Sequence, residues 1–194
     1  MASIGRKTIK TLHPPEGFRY SGNFITPEEE AHLIEHFQTL PFKEFEFHGY
    51  FGKRRTTSFG WHYNFGSAAL ERANPIPDFL LPFRSRAAEW ADLKSGDLPH
   101  ILVTEYTPGS PIGWHRDRDV FEDVIGVSLA SVCVFRFRRK TPTAWERHSL
   151  ILNPRSVYLL RGPSRFEWEH SIPEVQSLRY SITFRSFRDS AEPL

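Results

Sequence analysis

Cysteine is nearly absent from this 194-residue chain: Cys133 stands alone. That excludes an internal disulfide and fits a reducing compartment. No apolar run approaches the roughly 18–20 residues needed to span a membrane. Met1-Ala2-Ser3-Ile4-Gly5-Arg6-Lys7 has no apolar h-region, so no secretory signal is expected there. Internal repeats, low-complexity tracts and an obvious interdomain linker are missing as well. These absences predict a monomer in the cytoplasm, or in the nucleus of a eukaryotic cell, with no membrane partner. Net charge is small too: +2 at pH 7 does not by itself require a polyanionic partner.

What is present begins with an ordinary 39% hydrophobic content and an aromatic share of 14%, mostly phenylalanine, which suits a well-filled core. A chain of this length makes one domain. The charge is unevenly placed. Residues 1–130 hold 14 Lys/Arg against 17 Asp/Glu, whereas residues 131–194 hold 11 against 6. The basic residues gather at Lys53-Arg54-Arg55 and at Arg136, Arg138, Arg139 and Lys140. Such clusters can face phosphates; solvated strand ends are the alternative for each.

The first ~20 residues, with Pro14-Pro15 and Gly17, read as an extended leading segment. Thr26-Pro27-Glu28-Glu29 is a helix start: Thr26 can cap, Pro27 suits the first helical position and Glu29 completes a capping box. Leu33, Ile34, Phe37 and Leu40 follow at helical spacing, predicting a helix over about 27–39. Phe45 and Phe47 alternate with Glu44, Glu46 and His48 as in a strand, while 49–66 shows no clear period. Pro75-Ile76-Pro77 leads to a second helix striped by Leu80, Phe83, Ala87 and Trp90, with Pro82 in its first turn. From about residue 99 the chain turns to short strands: Ile101–Thr107, Val124–Phe137, Ser149–Leu152, Val157–Leu160 and Leu178–Phe187. Pro108-Gly109, Asn153-Pro154 and Gly162-Pro163 punctuate them. Many short strands in a compact run suggest a sandwich or jelly roll.

Within those strands lies a constellation with metal chemistry. In His115-Arg116-Asp117 the two candidate ligands are two apart, so on or beside a strand both side chains reach one point. His170 follows 55 positions later, and a jelly roll brings distant strands side by side. Two histidines and a carboxylate form the facial triad of non-haem Fe(II) oxygenases. Alone, H-x-D is a weak pattern in a chain with nine histidines. Arg179, Ser181, Thr183 and Arg185 then share one face of a strand, and two inward guanidiniums are costly to bury unless anions meet them. Guanidinium matches carboxylate in a bidentate fork, so a dicarboxylate beside the metal is the expected anion. A strand with an exposed polar face is the alternative.

At these residues the chain resembles the AlkB-like branch of the Fe(II)/2-oxoglutarate dioxygenases. Arg179-Tyr180-Ser181-Ile182-Thr183-Phe184-Arg185 is similar to the family's R-x-x-x-x-x-R strand. Glu105-Tyr106-Thr107-Pro108-Gly109 and Ile112-Gly113-Trp114-His115-Arg116-Asp117 look like its tyrosine, Pro-Gly turn and metal motif. Asn153–Tyr158 and Gly162-Pro163-Ser164-Arg165 resemble the segment before the distal histidine. The likeness is good over about 100–188 and general over 20–95.

It implies an α+β fold in one domain: a double-stranded β-helix (jelly-roll) catalytic core over about 99–188, with N-terminal helices packed on it and a substrate lid over about 1–98. It implies His115, Asp117 and His170 as iron ligands. Arg179, helped by Tyr106, would pair with the distal carboxylate of 2-oxoglutarate, and Arg185 would sit near the carboxylate that chelates iron. Thr104 and Ser181 stand where the family often has asparagine; both donate hydrogen bonds but reach less far. The implied cofactors are Fe(II), 2-oxoglutarate as co-substrate, and O2. The implied chemistry hydroxylates a C–H bond and releases succinate and CO2; an N-methyl group so oxidised leaves as formaldehyde.

For the substrate, Asp119 matches a position that contacts the target base in some repair enzymes, with a solvated acid as the alternative. Trp61 and Tyr63 fall where the family keeps its lid, and an aromatic there can stack on a flipped base or pack on the core. Arg54 and Arg55 are candidates for phosphate contacts. Trp114 and Trp168, flanking ligands, read as pocket walls or packing. The expected partner is an alkylated nucleic acid, DNA or RNA, demethylated at its bases. A protein side chain or small molecule is the alternative substrate. A non-catalytic binding protein keeping the fold is a further alternative, against which the complete triad and both arginines argue.

Overall fold

The computed structural model describes residues 14–47, 50–64, 66–67 and 69–188. The leading segment expected over residues 1–13, and His48 and Gly49, lie outside the described residues.

Strand β1 (Phe18–Ser21) precedes helix α1 (Pro27–Phe37), whose capping box forms as the sequence predicts: Glu29 N–H donates to Thr26 Oγ1 and Thr26 N–H to a Glu29 carboxylate oxygen. Strands β2 (Lys43–Phe47) and β3 (Tyr50–Phe59) pair antiparallel, and β4 (Trp61–Asn64) with β5 (Ala69–Arg72) makes a separate hairpin. A 3₁₀ turn leads into α2 (Leu81–Trp90), with Pro82 in its first turn, where no N–H is needed. The remaining strands are β6 (His100–Tyr106), β7 (Ile112–His115), β8 (Phe121–Leu129), β9 (Cys133–Lys140), β10 (Trp145–Leu152) and β11 (Ser156–Leu160). The one-turn helix α3 (Pro163–Phe166) follows, then β12 (Glu169–Ile172) and β13 (Arg179–Phe187).

Seven strands form a large sheet in the order β1-β11-β8-β13-β6-β3-β2, and four form a smaller one, β10-β9-β12-β7. From β6 onward the strands alternate between the two sheets, except that β9 and β10 form a hairpin within the smaller one, the pattern of a double-stranded β-helix. The central strands of the larger sheet are buried on both faces. Its outer face, with Ile101, Val103, Ile125, Val127, Tyr180 and Ile182, packs against Leu33 and Phe37 of α1 and Phe83 and Ala87 of α2. Its inner face meets Cys133, Phe135, Phe137 and Ile172 of the smaller sheet. The period-2 alternation of β13 therefore divides the chain's chemistry: Tyr180, Ile182 and Phe184 enter the helix-side core, and the polar row of Arg179, Ser181, Thr183 and Arg185 faces the space between the sheets. The exposed polar face weighed for this strand is not what forms.

One strand expectation is corrected. Val124–Phe137 reads as a continuous run but is two strands in different sheets, β8 and β9, broken at Ala130-Ser131-Val132. Ala130 adopts φ 70, a left-handed conformation that side-chain type alone does not announce. Glu30 holds that turn in place. Its carboxylate accepts from Ala130 N–H at 2.9 Å and from Arg155 Nη1 at 2.8 Å, tying α1 to two corners of the barrel. Arg155 also sits at positive φ, 62. Glu30→Ala strands a backbone donor at one left-handed corner and removes the ion-pair partner at the other. Urea denaturation is expected to show a loss of about 2 kcal/mol, the range for charge-assisted hydrogen bonds; an unchanged midpoint would show the corners to be self-supporting.

Candidate active site

The antiparallel pairing of β12 with β7 sets His170 directly opposite His115, with ring centroids 4.3 Å apart. The chain leaves β7 after His115, and Asp117 returns its carboxylate to the same point, with Oδ2 3.5 Å from His170 Nε2. One ligand atom from each of the three lies within 4.8 Å of the others. His115 Nδ1 is 2.9 Å from the Gly113 carbonyl oxygen, which can only accept, so Nδ1 is the donor there and Nε2 is the ring nitrogen left to ligate. His170 is 8% exposed. Burial, with His115 beside it, pushes its pKa down to about 3, so the imidazole is neutral and able to ligate.

Burial raises the Asp117 carboxyl, but the groups around it, Arg185 first among them, together outweigh burial and hold it well below the usual carboxylate range. Arg185 Nε and Nη2 both donate to Asp117 Oδ1, at 2.9 and 2.7 Å, leaving Oδ2 for a cation. Arg185 Nη1 lies 3.4 Å from His100 Nδ1. His100 is buried, and burial together with Arg185 keeps it neutral, able to accept that contact. The triad thus offers two imidazole nitrogens and one anionic oxygen, the donor set that suits Fe(II) with positions left open.

Deeper between the sheets, Arg179 is 1% exposed. Its Nε and Nη2 donate to Ser128 Oγ at 3.2 and 3.0 Å, and its guanidinium lies 4.7 Å from the Tyr106 ring centroid. Nη1 is buried with no hydrogen-bond partner among the described residues. A buried cation with an unspent donor is the feature a carboxylate ligand would satisfy. Tyr106 Oη and Ser181 Oγ, 3.4 Å apart, and the Thr104 side chain stand nearby on the same inner face. These residues fit 2-oxoglutarate: Arg179, Tyr106 and Ser181 would take its distal carboxylate, with the opposite end directed at the triad.

A cavity of about 700 Å³ opens above these groups. Thr104, Tyr106, Ser181, Arg185, Arg54 and Tyr63 line it, as do the three candidate ligands. Three residues expected at the substrate are placed elsewhere. Arg55 projects from β3 on the face opposite Arg54 and pairs with Glu105 at 2.7 Å, because adjacent residues of a strand point to opposite sides. Trp61 is buried edge-on against Phe187, with Arg72 over its ring at 4.0 Å, so it packs and has no face for a base. Asp119 is exposed and lies outside the cavity lining. Trp114 walls the cavity, while Trp168 packs on Phe137.

His100, Ser128, Tyr158 and Arg165 were not singled out from sequence. Tyr158 lines the cavity and is buried; burial and the neighbouring Tyr106 push its phenol up. Its ring occupies the space a side chain at residue 126 would need, since a Cβ on Gly126 would lie 2.2 Å from it. Arg165 is 1% exposed, and its Nη2 donates to the carbonyls of Arg118 and Phe121 at 2.5 and 2.9 Å, holding the stretch that follows Asp117 into β8. Gly126 between Ile125 and Val127 and the inward alternation of β6 were the available signals for Tyr158 and His100. The carbonyl partners of Arg165 leave none.

Two outcomes follow from this geometry. Arg179→Ala, which removes the bidentate partner, should raise the 2-oxoglutarate concentration required for half-maximal turnover by about tenfold or more, the worth of a charge-assisted pair; unchanged dependence would remove Arg179 from the co-substrate pocket. In metal-free protein, His100 and His170 stay neutral when folded but titrate near 6.5 when unfolded. The unfolded chain therefore binds protons first. Stability should fall as pH drops below about 6.5, by up to about 1.4 kcal/mol per pH unit for each histidine, with Asp117 adding to the loss below about 4. Urea titrations of chelator-treated protein between pH 7.5 and 5 measure this, and a flat profile would contradict the burial of these imidazoles.

Comparison with known proteins agrees with the site. The family model of the 2OG-Fe(II) oxygenase superfamily matches residues 17–185. An Arabidopsis thaliana protein named as an alkylated DNA repair protein ALKBH8 homolog is 28% identical over 162 residues, covering 70% of this chain and 47% of its own length. The mouse tRNA (carboxymethyluridine(34)-5-O)-methyltransferase ALKBH8 is 29% identical over 81% of this chain, which spans 24% of that protein. This chain therefore spans half or less of these two relatives. The structure of OsALKBH1 superposes with a TM-score of 0.70 at 16% identity, covering 90% of this chain and 98% of that one. With the triad and both arginines in place, the chain belongs to the 2OG-Fe(II) oxygenase superfamily and is a dioxygenase domain using Fe(II), 2-oxoglutarate and O2.

Proposed function

We propose that this dioxygenase oxidises alkyl groups on the nitrogen atoms of nucleobases in DNA or RNA, releasing the methyl carbon as formaldehyde. The observation that carries the reading is the composition of the cavity mouth. Arg54, Arg116 and Arg118 stand there with Tyr63 and Trp114, and Arg118 lies 5.3 Å from the centre of the Tyr63 ring. Cations and aromatic rings around one opening suit a base that enters and the phosphates that flank it. The relatives add support: besides the two ALKBH8 proteins, an Arabidopsis thaliana protein named as the RNA demethylase ALKBH9B is 27% identical over 73% of this chain.

In this reading His115, Asp117 and His170 hold Fe(II), which when bound with 2-oxoglutarate supplies the O2 chemistry that inserts one oxygen atom into a substrate C–H bond. Arg185 fixes Asp117 so that Oδ2 alone faces the metal. Arg179, Tyr106 and Ser181 orient the co-substrate from its far end. Phe135, Ile172 and Phe121 in the cavity wall keep water from the reacting face. The hydroxymethyl product on nitrogen then breaks its C–N bond, returning N–H to the base and releasing formaldehyde. The other oxygen atom of O2 enters the new carboxylate that the keto carbon becomes in succinate, and the carboxylate beside the keto carbon leaves as CO2.

The experiment is iron-loaded protein given 2-oxoglutarate and O2 with methylated or unmodified oligonucleotides. Succinate and formaldehyde that rise together with the methylated strand are expected. Succinate that ignores every oligonucleotide would refute the nucleobase reading and send the search to protein and small-molecule substrates.

A further inference from the structure

The smaller sheet has a solvent-facing side that the active site does not use. Val134, Arg136, Arg138 and Lys140 of β9 alternate outward from the buried Cys133, Phe135 and Phe137. On β10, Trp145, Arg147 and Ile151 share that face, with Arg147 directly opposite Arg138 and Trp145 opposite Lys140. Two arginines facing one another across a ladder destabilise a sheet unless an anion lies between them. Among the described residues only Arg138 has one, Glu169 on β12. Arg136 donates to the neutral Ser171 hydroxyl at 3.0 Å. Four cations therefore share the face with one acid. Arg139, the remaining basic residue of the cluster, is committed to Glu146 and Glu167 and is not part of this surplus.

The guanidiniums are held flat by indoles. Arg136 and Arg138 lie 4.9 and 4.6 Å from the Trp114 ring centre, and Arg138 lies 4.7 Å from that of Trp145. Stacking fixes the planar fork while leaving edge donors to face outward. Trp145 is 41% exposed and Ile151 52%. Trp114 belongs to both regions: it lies beside the arginines of the face and walls the catalytic cavity, one residue before His115. The face thus begins at the cavity rim and runs across three inter-strand gaps, about 14 Å at about 4.8 Å each.

We infer that this outer face of the smaller sheet, from Trp114 across Arg136 and Arg138 to Arg147 and Trp145, is a docking track for the single nucleic-acid strand that flanks the target base. The inference rests on the nucleobase reading of the site. Arg136, Lys140 and Arg147 take phosphates, and Trp145 offers a ring to an unpaired base. A surplus of cations with interleaved aromatics is the chemistry that holds a single strand without reading its sequence.

The test is fluorescence anisotropy of a labelled single-stranded oligonucleotide across a salt series. It compares wild type, the triple variant Arg136→Gln/Lys140→Gln/Arg147→Gln, the charge-keeping variant Arg136→Lys/Arg147→Lys, and Trp145→Ala. All the substitutions are at the surface, and an unchanged melting temperature verifies the fold. Losing three phosphate contacts should make the slope of log K against log salt shallower by about 2, at about 0.7 per contact on a single strand. The charge-keeping variant should retain the wild-type slope. Trp145→Ala should weaken binding with the slope unchanged. A wild type that binds no oligonucleotide overturns both this inference and the nucleobase reading. A wild type that binds with the same slope as the triple variant overturns the track alone. Sedimentation showing a wild-type dimer that the triple variant abolishes would assign the face to a second copy of the chain and overturn the track as well.

Discussion

The contact on which the site depends is the ion pair between Asp117 and Arg185. Both side chains are nearly out of solvent, and either alone would be a costly charge in a poorly solvated space. The pair joins parts of different origin: Asp117 lies on the loop after β7 of the smaller sheet, and Arg185 stands near the end of β13 in the middle of the larger. The sheets are thus tied at the end where the cavity opens. The same contact keeps the carboxylate ionised, blocks one of its oxygens and directs the other to the histidines. His100 underneath, held neutral by burial, adds no competing charge.

Around that pair the inner face of the larger sheet is a polar stripe in an otherwise apolar interior. Thr104, Tyr106, Ser128, Ser181 and Arg179 are buried there in mutual contact, on strands whose alternate residues are Val, Ile, Leu and Phe facing the helices. Interior polar groups are tolerated when each has a partner. The exception is the spare donor of Arg179, at the depth where the co-substrate would end. Arg165 repeats the pattern at the rim, where one nitrogen holds the Asp117 loop and Nε and Nη1 have no partner.

Much of this was legible in the sequence because it rests on periodicity and spacing. The capping box at Thr26 and Glu29 is local chemistry, and the inward row of β13 follows from a period of two. The triad was recognisable by ligand type and order. Where the reading went astray, the cause was tertiary. Val124–Phe137 has unbroken β character, and only the corner at Ala130, held by Glu30 from another element, divides it. Arg54 and Arg55 are equivalent in a basic run, yet strand parity sends one to the cavity and the other to Glu105. Trp61 and Tyr63 both sit on β4, and burial against Phe187 makes the larger ring the structural one. Tyr158 and Ser128 matter through partners brought from distant strands, which no local window contains.

The central claim is that one site holds a divalent metal and 2-oxoglutarate together, the metal on His115, Asp117 and His170 and the far carboxylate on Arg179. Calorimetric titration of 2-oxoglutarate, without O2, into metal-free protein and into protein loaded with redox-inactive Mn(II) tests it most directly. The account predicts binding that is weak without metal and strengthens when Mn(II) is present, with the reciprocal gain in metal affinity that linkage demands. Equal affinity in both titrations would contradict it, because the metal and the carboxylates would then not share a site.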